Sequence, residues 1–172
     1  TFVLEGSTTA DIVIQSGSML LDNKMTLANG QELTFNGGNL HGSVATADGS
    51  GINTNVSTII SENLDLNGGV FTPGGQGIIL TVGGQLNILN KTDVNVSAYV
   101  NGGSYVLANA GSIVGDETLL NPYTDTRNEN TISKNGSGLL LTVVEKAATL
   151  HWNAGATGKW EQRGDTKWDV SH

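Results

Sequence analysis

The sequence predicts an all-β protein, a solenoid of short stacked strands with almost no helix. Three observations carry this. The 172 residues include 24 glycines and 18 asparagines but only 2 prolines, and Gly and Asn are the residues that tolerate the left-handed backbone of tight turns. Apolar residues alternate with polar ones in brief runs, as half-buried strands require. An apolar-Asn-Gly-Gly core recurs in "FNGGNL", "LNGGVF" and "VNGGSY", with Asn36, Asn67 and Asn101 at a near-regular interval of a little over thirty positions and Asn135-Gly136 one such interval further on. Regular recurrence of this kind is what stacked supersecondary units produce.

In chain order, the strand-like runs begin with "TFVLEG", "DIVIQSG", "SMLLDN", "KMTLANG" and "QELTFNGG". They continue through "STIISE", "NLDLNGG", "GIILTVGG", "QLNILN", "TDVNVSAY" and "SYVLANAG". No run keeps apolar residues at helical spacing for three turns without a glycine, which excludes any long amphipathic helix. A coil of such a solenoid needs fewer residues than the interval between cores, so one sequence period can span more than one coil. Asparagines at successive turns can stack and hydrogen-bond from coil to coil. Residues 1–115 form this repetitive body. Residues 116–135 gather Pro122 and several charges with little alternation, which reads as a longer loop. Residues 136–172 return to strands, "GLLLTVVEK", "ATLHWN", "GKWEQ" and "TKWDV", as a small antiparallel or meander element. All of this amounts to one domain.

The last strands hold all three tryptophans, Trp152, Trp160 and Trp168, eight residues apart. An even spacing places them on one face of extended backbone. A helix would also bring them together, but Gly155, Gly158 and Gly164 each cost it about 1 kcal/mol. Such a row can seal the solenoid by burying large aromatic area, or offer exposed indole faces on which sugar rings stack.

The tail, "GSYVLANAGSIVGD" followed by "NGSGLLLTVVEKAATLHWNAGATGKWEQRGDTKWD", resembles the autotransporter-associated β-strand repeats of large secreted or surface-anchored bacterial passenger proteins. Leu139 to Val143 match the "GLxLTV" strand of that family. Leu150, Trp152, Asn153, Gly155, Gly158, Trp160 and Trp168 match its "LxWNxGxxGxW…W" element. The likeness covers roughly the last 70 residues well and the rest only in texture. It implies a right-handed parallel β-helix or similar β-solenoid on the outside of a cell, displaying adhesive or enzymatic parts. Such repeats normally follow one another in arrays, so the chain reads as a piece of a longer protein, any secretion signal lying outside it or removed. The family supplies no catalytic residue set.

Composition narrows the function. The net charge is −8, and residues 1–123 carry ten acids against Lys24 and Lys91. An acidic body without a basic stripe argues against nucleic acid and anionic membranes as partners. No apolar run approaches the roughly 20 residues of a membrane span, so this segment is not expected to insert. There are no cysteines, which removes disulfides and thiolate metal sites.

Site chemistry is sparse. G-x-S-x-G is absent, and His41 and His151 stand far apart without zinc spacing. Asp48 and Asn53 in "ADGSGINTN" are the nearest to a calcium loop, but the alternating acids and closing Glu are missing. No metal and no cofactor are expected. The enzymatic candidates are Asp125 in "YTDTRN" and Asp165 in "GDTKW", which resemble the Asp-Thr-Gly of aspartic peptidases, where two aspartates share a proton. Arg127 and Lys167 replace the glycine, and a neighbouring cation opposes the shared-proton state.

The sequence therefore points to an extracellular bacterial passenger segment, monomeric, serving display, adhesion or spacing. The alternatives are a secreted aspartic-type hydrolase, a carboxylate-dependent peptidase or glycosidase acting on host glycoproteins of mucin type through Asp125 and Asp165, and a glycan-binding module using Trp152, Trp160 and Trp168.

Overall fold

A computed structural model describes residues 2–4 by their backbone and residues 10–124 and 126–146 in full. The described chain is all-β, with parallel sheets forming a β-solenoid of about four turns. β1 (Phe2–Leu4) precedes the coils. Three short strands make each early coil: β2 (Ile12–Ile14), β3 (Ser18–Leu21) and β4 (Met25–Thr26), then β5 (Glu32–Phe35), β6 (Asn39–His41) and β7 (Val44–Ala45), then β8 (Gly51–Thr54), β9 (Thr58–Ile60) and β10 (Leu64–Asn67). From β11 (Val70–Pro73) onward the second and third sides merge into one long strand, β12 (Leu80–Asn90). β13 (Thr92–Asn95) and β14 (Gly103–Gly115) repeat that plan. A 3-10 turn (Glu117–Leu119), β15 (Leu120–Tyr123), β16 (Glu129–Asn135) and β17 (Gly138–Val144) complete the described chain.

The first side is a six-stranded parallel sheet in the order β15-β13-β11-β8-β5-β2. Its inward row stacks Ile12, Leu33, Ile52, Phe71 and Val94 in register. On the second side the inward row is Met19, Leu40, Ile60, Val82 and Ala110. On the third, Val44, Leu64 and Leu86 stack. Leu33, Ile52, Leu40, Ile60, Val44, Leu64 and Leu86 are fully buried, so the period-two alternation of the sequence is resolved into three apolar columns meeting on one axis. Each such side chain contributes about 1.5–3 kcal/mol of burial.

The first-side column of Ile12, Leu33, Ile52, Phe71 and Val94 fixes the true repeat at about 20 residues per coil, at the short end of the range for stacked repeats. The longer interval between Asn-Gly-Gly cores is not a coil period. Asn36 follows the end of β5 and Asn67 ends β10, so they occupy different corners, and Asn135 lies at the β16–β17 connection. The segments that do superpose are "TLANGQELTF" (26–35) and "ATADGSGINT" (45–54), one coil apart, with Gly30 and Gly49 at matching positive φ of 80° and 74°. Where β12 turns from the second side to the third, its register shifts between Val82 and Gln85. A Cβ on Gly83 would sit 2.2 Å from the Ser61 carbonyl oxygen, so only glycine lets successive coils close up there.

At the C-terminal end parallel pairing stops. β17 runs antiparallel to β14 on one side and to β16 on the other, and Leu139, Leu141 and Val143 bury against the last coil. A small antiparallel element is thus present and begins at Glu129; the expected strands "ATLHWN", "GKWEQ" and "TKWDV" lie outside the described residues. Residues 116–135, expected as a loop, hold the 3-10 turn, β15 and β16. Pro122 is compatible with a strand because β15 is the last strand of its sheet, where one edge needs no N–H donor.

Candidate functional surface

The first side of the solenoid presents the most regular outward array. One row runs from Glu32 through Gly51, Val70 and Asp93 to Asn121, preceded by Asp11, whose Oδ1 accepts from the Glu32 N–H at 2.9 Å. A parallel row holds Val13, Thr34, Asn53 and Thr72. The Asn53 amide donates to Glu32 Oε2 at 3.1 Å and to Thr34 Oγ1 at 3.3 Å in the coil before it. Asn121 donates to Asp93 Oδ1 at 2.8 Å, and at the adjoining corner Asn55 donates to Asn36 Oδ1 at 2.7 Å. Of these, the Asn55–Asn36 bond is the asparagine pairing expected at the turns, whereas Asn53 and Asn121 stand on strands and donate to carboxylates and a threonine hydroxyl. Each of these bonds ties one coil to the coil before it.

On the third side Asp65 is 7% exposed and holds two partners. Lys24, two coils earlier, pairs with its Oδ2, and Asn87 donates to its Oδ1 at 2.7 Å. Nearby, Ser43 donates to Glu62 Oε2 at 2.8 Å. Sequence reasoning missed this cluster. Lys24 and Asp65 lie 41 residues apart, and no local pattern links them unless the coil length is already known.

Around the C-terminal hairpin, Lys134 lies 2.9 Å from Glu117 Oε2, and the hydrogen bond from Lys134 holds the Glu117 carboxyl below its ordinary range. Asp116 Oδ1 accepts from the Thr118 N–H at 2.9 Å, which lowers that carboxyl too. The rings of Tyr99 and Tyr105 pack with centroids 5.1 Å apart. Burial pushes the Tyr99 hydroxyl up to about 12, only partly offset by the Gly75 backbone.

Asp125, Asp165, His151, Trp152, Trp160 and Trp168 lie outside the described residues. Asp48 and Asn53 do not converge on a shared centre: a Cβ on Gly68 would sit 2.2 Å from Asp48 Oδ1, whereas the Asn53 amide is turned to Glu32 and Thr34. Among the described residues no three His, Cys, Asp or Glu side chains are grouped to hold a metal ion. His41 stands exposed on the second side. No described helix is long and apolar enough to cross a membrane. No protein-family model matches the chain, and neither a curated protein nor a solved structure matches it.

Proposed function

We propose that the chain is a display and spacing segment of an extracellular bacterial passenger protein, a stiff stalk that carries adhesive parts away from the surface. The observation that supports this reading best is the ladder of outward polar groups bonded from coil to coil, Asn53 to Glu32 and Thr34, Asn55 to Asn36, Asn87 to Asp65 and Asn121 to Asp93. These bonds join neighbouring coils into one body, and each coil adds about 4.8 Å to its length. A spacer needs stiffness and length rather than a convergent set of free donors and bases. The family resemblance of the tail points the same way.

The test is to incubate the purified chain with a mucin-type glycoprotein and with an unfolded protein from about pH 4 to 8, where catalytic carboxylates titrate. Intact substrates by mass spectrometry are expected throughout. New fragments that disappear in Asp125→Asn or Asp165→Asn would overturn the stalk in favour of a hydrolase. Retention on immobilised mucin glycans that is lost in Trp160→Ala would make it a glycan-binding module instead.

A further inference from the structure

The chain holds five Asn-Gly pairs, at Asn29, Asn36, Asn67, Asn101 and Asn135. Asn-Gly is the sequence most open to spontaneous side-chain chemistry, because glycine leaves its own nitrogen unhindered. That nitrogen attacks the asparagine Cγ, a new N–Cγ bond forms, the Cγ–Nδ2 bond breaks, and ammonia departs with the proton. Water then opens the cyclic imide at either carbonyl, giving aspartate or isoaspartate. The attacking nitrogen must first be free of any hydrogen bond.

The fold engages four of the five. Gly30 N–H donates to Gly49 O at 2.9 Å and Gly37 N–H to Ile14 O at 3.1 Å. Gly68 N–H donates to Thr92 Oγ1 at 3.3 Å, and Gly102 N–H to Glu145 Oε1 at 2.6 Å. At Asn36 the side chain is held as well, its Oδ1 accepting from Asn55. The fifth pair differs. Asn135 faces Gly138 across the β16–β17 hairpin, leaving Gly136 and Ser137 as a two-residue turn with Gly136 at φ 61°. A two-residue hairpin turn places the N–H of its first central residue outside the ladder. What sets this pair apart is the nitrogen: no described residue accepts from Gly136 N–H, whereas open space about the glycine and exposure of the pair are shared with Asn29-Gly30.

We propose that Asn135 is a modification site, the Asn-Gly pair at which the native protein undergoes spontaneous deamidation while hydrogen bonds on the glycine nitrogen hold back the other four. Water is the co-reactant. The site matters to the fold because isoaspartate adds a methylene to the main chain beside the Asn135–Gly138 pair. That insertion disturbs the register of β17, whose Leu139, Leu141 and Val143 close the last coil.

The experiment is to age the native 172-residue chain at mildly alkaline pH and map the five asparagine peptides by mass spectrometry, with a parallel sample in denaturant. In the native sample Asn135 is expected to convert about fivefold to tenfold faster than any other pair, the factor corresponding to one hydrogen bond that the others must first give up. In denaturant the five rates are expected to converge. Equal native rates, or a faster site elsewhere, would overturn the assignment. So would an Asn135 lead that persists in denaturant, since the rate would then belong to the local sequence and not to the fold.

Discussion

Truncating Phe71 to alanine tests the inward columns. Phe71 is 1% exposed and sits in register between Ile52 and Val94, so its removal leaves a void that strands held by ladders on both sides cannot collapse to fill. Phe→Ala at such a position costs about 3–5 kcal/mol. For a domain of this size each kcal/mol lowers the melting temperature by about 2–4 °C, which gives a drop of about 6–20 °C. Thr72→Ala, one residue on and facing outward, is the matched control, expected within about 0.5 kcal/mol of the parent. The assay is thermal unfolding followed by far-ultraviolet circular dichroism on both variants. Equal losses, or a larger loss from Thr72→Ala, would mean that β11 is turned over, because a one-residue slip exchanges every inward and outward side chain.

Two further substitutions read other parts of the fold. Gly83→Ala places a Cβ against the Ser61 carbonyl, a backbone atom that cannot rotate away; destabilisation of about 1–3 kcal/mol is expected by denaturant unfolding, and an unchanged midpoint would refute the close approach of the two coils. For Glu117 the folded carboxyl titrates below its ordinary value because of Lys134. Its contribution to stability is therefore present above the unfolded pKa and lost as pH falls through the folded one. Nuclear magnetic resonance titration should place its midpoint below the ordinary glutamate range, returning toward that range in Lys134→Gln; a midpoint indifferent to Lys134 would contradict the pair.

Most of the fold class was legible because its cause is local. Alternation such as "ELTFNGG" and turn residues such as Gly30 and Gly49 act within a few residues, and they specified strands, corners and the near-absence of helix. The coil length was not legible from the Asn-Gly-Gly cores, because any corner of a coil can use the same turn chemistry, and Asn36 and Asn67 use it at different corners. The shorter signal is present in "ANGQ" and "ADGS", where Asp48 and Ser50 stand in for Asn29 and Gln31 and hide the likeness. Residues 116–135 mislead because a run of charges has the composition of a loop, whereas Lys134 and Glu117 pair across the end of the solenoid. The Asp65 cluster was invisible for a different reason: Lys24 and Asn87 reach it only after two coils and one coil have been wound.

The chain winds into parallel coils, each of about 20 residues and so far shorter than the Asn-Gly-Gly interval. Cysteine pairing reads this register, because the parent has no cysteine. Thr34 and Asn53 are outward neighbours on adjacent strands, about 4.8 Å apart along the stack and inside the range a disulfide bridges. Asn36 and Asn67 fit the longer interval but lie on different corners. Under mild oxidation the double variant Thr34→Cys/Asn53→Cys is expected to cross-link within one chain while Asn36→Cys/Asn67→Cys stays reduced. Cross-linking of the second pair without the first would contradict the coil register and the stalk built on it.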